Sequence, residues 1–256
     1  MIELYDVGRT THKPVPKMYE FIMQNADRYV QDQALAQRLK DEAAQRELPG
    51  HSIPQELFSE MCRIWVEAHR TGDFPIEASK LVYPDTIPQF RRVKEAGRNI
   101  GVLTSGSEEF TKVLFRLPIG EGETLADLVD EFLLGDKIGD KDSPETFARL
   151  WDARKSDIYS IYDDKESVCL AASEGIRQAG GYAAIFLVDR NGRYVNQDGR
   201  YYVSEENSAS HKVLKENLIH IIKSFDVLED NDDEVPYHHD AEPRIVKPKL
   251  EIDHDL

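Results

Sequence analysis

Three runs of apolar residues, each bounded by polar turns and helical patterns, constrain this chain most. Asn99-Ile100-Gly101-Val102-Leu103 leads into Thr104-Ser105-Gly106-Ser107. Ile158-Tyr159-Ser160-Ile161-Tyr162 leads into Asp163-Asp164. Ala183-Ala184-Ile185-Phe186-Leu187-Val188 follows the turn Gly180-Gly181. Strands that are apolar along their whole length need cover on both faces, and helices alternating with them supply it. The fold class expected is therefore α/β, with a parallel Rossmann-like sheet core. Ile2 to Tyr5 reads as an opening strand and Phe132-Leu133-Leu134 as a short one.

Between the opening strand and residue 82 the pattern is purely helical. Met18, Phe21, Ile22, Tyr29, Val30, Leu35 and Leu39 recur near a 3.6 period in one block, which Pro49-Gly50 breaks. Leu57, Met61, Ile64, Trp65 and Ala68 share the face of a second helix. This predicts an inserted all-helical cap over residues 14–80, and a core built from residues 2–12 and 82–225. Gly97 is expected to stop one core helix, and Ser143-Pro144 to start another with Ser as N-cap. Val213, Leu214, Leu218, Ile221, Ile222 and Phe225 read as a closing amphipathic helix.

The formal net charge is −16. Residues 226–256 hold eleven Asp/Glu against three Lys/Arg, a net of −8, so half of the excess lies in this stretch. With three prolines and little apolar periodicity, it reads as a solvated, disordered tail. No basic footprint for nucleic acid or for an anionic membrane surface is visible. No run approaches the ~18 apolar residues of a membrane span, and the opening residues lack the features of a secretory leader. Cys62 and Cys169 both fall in amphipathic helical patterns, so buried free thiols are expected rather than a disulfide or metal pair. A cytoplasmic setting follows as the expectation. Oligomeric state is not legible.

In open parallel sheets, ligands bind beyond the carboxyl ends of the strands. Here those ends carry, in order, Asp6, then Thr104 and Ser105, then Lys141 after a third segment, then Asp163 and Asp164. Carboxylates from separate strands can hold a hard cation, with Mg²⁺ the natural choice. A hydroxyl and the amides after it can hold phosphate oxygens, and a lysine can offset phosphate charge. A carboxylate beside such a cation can attack phosphorus.

That order resembles the haloacid-dehalogenase-like hydrolases, with the helical insert as their cap. Within them the likeness is nearest to enolase-phosphatase (acireductone synthase). Asp6-Val7-Gly8-Arg9-Thr10-Thr11 is similar to that family's opening motif. Tyr83-Pro84-Asp85-Thr86-Ile87-Pro88 with Lys94-Glu95-Ala96-Gly97, then Thr104-Ser105-Gly106-Ser107-Glu108-Glu109, then Lys137-Ile138-Gly139-Asp140-Lys141 carry the rest. The resemblance implies Asp6 as nucleophile and Mg²⁺ ligand. It implies Gly8, through its carbonyl, and Asp163 as further metal ligands. Thr104, Ser105 and Lys141 would bind the phosphate of a small phosphorylated metabolite. Asp164 is a candidate helper.

Three positions depart from the family pattern. Gly8 stands where the family has an acidic residue, Arg9 where it has Gly, and Tyr162 where it has Thr. A glycine can neither give nor take a proton. Two readings follow: a Mg²⁺-dependent phosphatase working through an aspartyl-phosphate, or a catalytically degenerate relative that binds a phosphate ligand or a protein.

Overall fold

β1 (Ile2–Tyr5) is buried along its whole length, as a short apolar strand inside a covered sheet must be. The computed structural model describes residues 1–13, 16–45, 53–74, 78–120, 122–134, 138–154, 157–194, 202–204, 207–228 and 244–246. After β1 come the helices α1 (Pro16–Tyr29), α2 (Gln33–Gln45), α3 (Gln55–Thr71), α4 (Ala78–Leu81) and α5 (Thr86–Glu95). Then follow β2 (Asn99–Thr104), α6 (Glu108–Phe115), β3 (Pro118–Gly120), β4 (Glu123–Thr124) and β5 (Glu131–Leu134). The chain continues through α7 (Pro144–Arg154), β6 (Ile158–Asp163), α8 (Glu166–Gln178), β7 (Ala184–Val188) and β8 (Tyr202–Ser204). It ends with α9 (Ser208–Glu216), β9 (Ile219–Ile222) and β10 (Arg244–Val246). The fold is α/β, with a six-stranded Rossmann-like sheet in the order β5-β2-β1-β6-β7-β9. Among the described residues no helix is long and apolar enough to cross a membrane.

The chain divides into two compact units, Met1–Thr10 with Lys141–Leu256, and Thr11–Asp140. In the first, β1, β6, β7 and β9 pair in parallel, with Tyr5 opposite Tyr162, Tyr162 opposite Phe186 and Phe186 opposite His220. In-register strands lie about 4.8 Å apart, and the side chains on one face stack accordingly. The Tyr5 and Tyr162 rings are 4.5 Å apart and the Tyr162 and Phe186 rings 4.7 Å apart, both nearly parallel. Phe225 meets Tyr5 and Tyr162 edge-on. Such pairs contribute about 0.5–1.5 kcal/mol each beyond the area they bury. Tyr162, one of the departures from the family pattern, is thus part of the sheet's aromatic ladder.

The closing helix is corrected. α9 stops at Glu216, Leu218 takes a left-handed φ of 56°, and Ile219-His220-Ile221-Ile222 form β9. The 3.6 period is real, but three isoleucines in four residues favour a covered strand once a turn has intervened. Val213 and Leu218, which a continuous helix would put on its apolar face, are exposed. The acidic stretch 226–256 contains the end of a 3-10 turn, Phe225–Leu228, and β10, which pairs in parallel with β8. The rest of that stretch lies outside the described residues.

In the second unit, β2 and β5 pair in parallel, and every described element from Pro16 to Leu81 is helical. The first helical block is two helices rather than one. Asp32 restarts the chain, its carboxylate accepting hydrogen bonds from the amides of Ala34 and Leu35. The expected break at Pro49-Gly50 falls outside the described residues. Trp65 on α3 anchors to α1 by donating from its indole N–H to the Met18 carbonyl, 2.7 Å. Gly97, at φ 70°, ends α5 as expected, since left-handed backbone is easiest for glycine. Cys62 and Cys169 are both free and buried.

Candidate active site

The first unit brings three carboxylates and an ammonium together. The pairing of Tyr5 with Tyr162 puts the next residues, Asp6 and Asp163, side by side at the carboxyl ends of β1 and β6. The Asp6 amide donates to the Tyr162 carbonyl, 2.9 Å, which extends the ladder to the first of them. Side chains alternate along a strand, so the aspartates leave the face that carries the tyrosine stack. Asp164 follows directly. Ligand oxygens of Asp6, Asp163 and Asp164 all lie within 4.8 Å of one another.

Lys141 stands between two of them. Its Nζ is 2.6 Å from Asp6 Oδ1 and 2.6 Å from Asp163 Oδ2, with all three side chains largely buried. The other oxygen of Asp163 accepts from the Lys165 amide, 3.0 Å. Lys141 follows Gly139-Asp140 and precedes α7, whose start is organised by Ser143. The Ser143 hydroxyl donates to the Glu145 carboxylate, and its carbonyl accepts from the Thr146 amide.

Three carboxylates against one buried ammonium leave excess negative charge where water is scarce. Burial pushes the Asp6 carboxyl up to about 6 although Lys141 pulls it down, and the Asp163 charge adds to the rise. Burial, then the charges of Asp6 and Asp163, push Asp164 up to about 7, while Arg9 and Lys165 oppose. Burial disfavours the Lys141 ammonium, but Asp163 and Asp6 outweigh it and hold it charged. Such a cluster of oxygen donors suits a hard divalent cation, which would offset the surplus that the lysine leaves.

Gly8 lies in the exposed loop after Asp6. Among the described residues, the nearest atom to a Cβ built there is Asp6 Oδ2, at 4.0 Å. Arg9, next in sequence, has a left-handed φ of 57°. Arg190, at the end of β7, donates to the Thr10 carbonyl, 3.0 Å, and lies over the Phe225 ring. Sequence reasoning missed Arg190, since the two residues are 180 apart and no local pattern joins them. It also missed Glu3, a buried acid in a strand that accepts from the Tyr5 hydroxyl, 2.6 Å. The i, i+2 spacing of Glu3 and Tyr5 was the available signal.

Thr104 and Ser105 belong to the second unit. Thr104 ends β2, is buried, and accepts from the Gly106 amide through Oγ1, 3.1 Å. Ser107 caps α6 by accepting from the Phe110 amide, 3.3 Å.

No family model matches the sequence, and no curated relative does. Solved structures do. A β-phosphoglucomutase-like protein of Thermotoga maritima is 16% identical with a TM-score of 0.50, over 89% of this chain and 96% of that one. A phosphatase of the haloacid-dehalogenase (HAD) superfamily from Thermococcus onnurineus is 22% identical with a TM-score of 0.48, over 84% and 96%. The Unknown transcript 4 protein of Saccharomyces cerevisiae is 17% identical with a TM-score of 0.47, over 88% and 97%. None of these three names singles out enolase-phosphatase. At these identities the likeness is one of fold alone: a Rossmann-like α/β sheet.

Proposed function

We propose that this chain is a Mg²⁺-dependent phosphatase acting on a small phosphorylated metabolite, with Asp6 as nucleophile. One observation carries the reading: Asp6, Asp163 and Asp164 converge around Lys141 at the carboxyl ends of adjacent parallel strands. Lys141 holds Asp6 Oδ1 and so orients the carboxylate, whose Oδ2 faces the space beside Gly8. A carboxylate oxygen attacks phosphorus, the P–O bond to the alcohol breaks, and an aspartyl-phosphate forms. Water then cleaves that acyl phosphate and restores Asp6. Asp6 and Asp163, with the Gly8 carbonyl, are the groups we assign to Mg²⁺, and Asp164 is close enough to assist. The ion would shield the repulsion between carboxylate and phosphate. We assign the phosphate oxygens to Thr104, Ser105 and Lys141 on their place in the sequence order. The segments that resemble enolase-phosphatase put the phosphorylated substrates of methionine salvage first among candidates.

Gly8 supports a second reading, a degenerate relative that binds without hydrolysis, because position 8 offers no proton-transfer group. A panel of phosphomonoesters assayed with and without Mg²⁺, for wild type and Asp6→Asn, separates the two. The phosphatase reading expects Mg²⁺-dependent release of phosphate that Asp6→Asn abolishes. Binding of esters or phosphate with no release from any of them leaves the binding reading.

A further inference from the structure

The loop after Asp6 is held by a side chain 180 positions away. Arg190 lies in the turn after β7, and the backbone that bears it is fixed. The Asp189 amide extends the β7–β9 ladder by donating to the Ile222 carbonyl, 2.7 Å, and the Gly192 amide donates to the Asp189 carbonyl, 3.1 Å. The Asp189 carboxylate accepts from the Tyr194 amide, 2.7 Å. The Arg190 guanidinium lies 5.0 Å from the centre of the Phe225 ring, which is buried and meets Tyr5 and Tyr162 edge-on. A planar guanidinium stacked on a ring is already ordered, so it gives up little freedom when it makes a hydrogen bond. From this platform Nη2 donates to the Thr10 carbonyl, 3.0 Å.

The segment that Arg190 reaches is strained. Arg9, at φ 57°, is one of two described non-glycine residues in the left-handed region. A residue with a Cβ takes that conformation roughly tenfold less readily than glycine, and it persists where the surroundings over-determine it. Here Asp6 is fixed at one end by the Tyr162 carbonyl and Lys141, and Thr10, fully buried, at the other by Arg190. Only Val7, Gly8 and Arg9 lie between. The peptide unit from Gly8 to Arg9 is planar, so the φ of Arg9 sets the direction of the Gly8 carbonyl relative to the anchored Thr10.

We propose that Arg190 is a positioning residue: by holding the Thr10 carbonyl it keeps Arg9 left-handed and thereby fixes the direction of the Gly8 carbonyl. Its consequence for the site rests on the phosphatase reading, which assigns that carbonyl to Mg²⁺. The test measures Mg²⁺ binding to the full chain by calorimetry, amide exchange over residues 7–10, phosphate release and melting temperature. Arg190→Met keeps an apolar stem over Phe225 and loses the hydrogen bond. It should speed exchange over residues 7–10 and weaken Mg²⁺ binding, each about tenfold, with the melting temperature little changed. Arg190→Lys, which can still donate, should retain part of the affinity. Arg9→Gly alone should bind Mg²⁺ as wild type does. Combined with Arg190→Met it should recover part of the lost affinity, because glycine takes left-handed backbone without the penalty. Unchanged exchange and affinity in Arg190→Met overturn the proposal. So does a loss that Arg9→Gly leaves untouched, or one that comes with a melting temperature several degrees lower in both Arg190 variants, which would make Arg190 a packing residue of the Phe225 cluster. A wild type that binds no Mg²⁺ overturns it together with the metal assignment. A wild type that binds Mg²⁺ and hydrolyses no phosphomonoester, with the variants shifting as expected, sinks the phosphatase reading and leaves the role of Arg190 standing.

Discussion

Lys141 places its ammonium 2.6 Å from Asp163 Oδ2, its own side chain 6% exposed and the aspartate's 1%. The pair is not isolated, because the same nitrogen also meets Asp6. Removing the cation would leave two buried carboxylates facing each other, which typically costs about 3–5 kcal/mol. Lys141→Met keeps the length and removes the charge. Urea unfolding should show a loss of that size, partly recovered by added Mg²⁺. A loss below about 1 kcal/mol would mean that water or rearrangement already satisfies the cluster.

A second prediction concerns helix packing in the same unit. A Cβ built at Gly175 in α8 would lie 2.0 Å from the Pro144 carbonyl oxygen at the start of α7. The carbonyl is backbone and a Cβ is fixed by the backbone that bears it, so neither helix can yield by turning a side chain. Gly175→Ala should therefore lower stability by ~1–3 kcal/mol or more, despite alanine's better helix propensity. Since Lys141 sits just before α7, the change should also loosen the lysine. Reduced Mg²⁺ affinity alongside the shifted urea midpoint would show that link, and a neutral or stabilising effect would refute the close approach.

How far the sequence can be read follows from which contacts are local. The ends of β1, β2 and β6 are legible because each strand is mostly apolar, with Glu3 interrupting β1 and Ser160 interrupting β6, and is closed by a polar turn. Apolar patterning alone therefore puts Asp6 and Asp163 at strand ends. The 208–222 region is not legible in the same way, because residues 213, 214, 218, 221 and 222 satisfy a helical period. Only the left-handed turn at Leu218 separates helix from strand, and nothing in a leucine announces it. The break at Asp32 is legible in principle, as an N-cap acid after Val30, but the apolar period runs across it. The direct contact of Lys141 with both carboxylates depends on residues 135 and 22 positions away, so its position in the order is readable and its partners are not.

A third prediction is a pH dependence of stability in the second unit. His12 is buried, its Nδ1 shares a hydrogen bond with the Thr11 hydroxyl, 3.0 Å, and its ring lies against Phe115. Burial pulls its pKa down from 6.5 to about 3. Between those values the unfolded chain binds a proton that the folded chain refuses. The stability associated with neutral His12 is therefore complete above about pH 6.5 and declines as the pH falls toward 3. The steepest decline from one such group is ~1.4 kcal/mol per pH unit. His12→Phe should remove this contribution. The difference in urea stability between variant and wild type should shift in favour of the variant as pH drops from 7.5 to 5. A difference independent of pH would mean that the imidazole is protonated when folded.

The last prediction tests what position 8 lacks. Gly8 has no left-handed φ, and among the described residues the nearest atom to an added Cβ is Asp6 Oδ2 at 4.0 Å. An added Cβ meets no overlap among the described residues, and on the phosphatase reading the aspartate's carboxyl would stand beside Asp6, where it could pass a proton to the departing alcohol oxygen. Positioned acid–base help contributes ~10²–10⁴-fold in well-formed sites. A retrofitted group lacks the hydrogen bonds that would fix its rotamer, so a rise in kcat of about tenfold is expected for Gly8→Asp. The new carboxylate also joins three others around one lysine, which raises the demand for a cation. Half-maximal activity should therefore come at lower Mg²⁺, and stability without Mg²⁺ should fall. Gly8→Asn offers the same bulk with no titrating proton and should show neither the rate increase nor the Mg²⁺ shift. A faster Gly8→Asn would trace the gain to packing around Asp6. Silence from Gly8→Asp on every ester, with Mg²⁺ bound and the fold intact, would assign the site to binding.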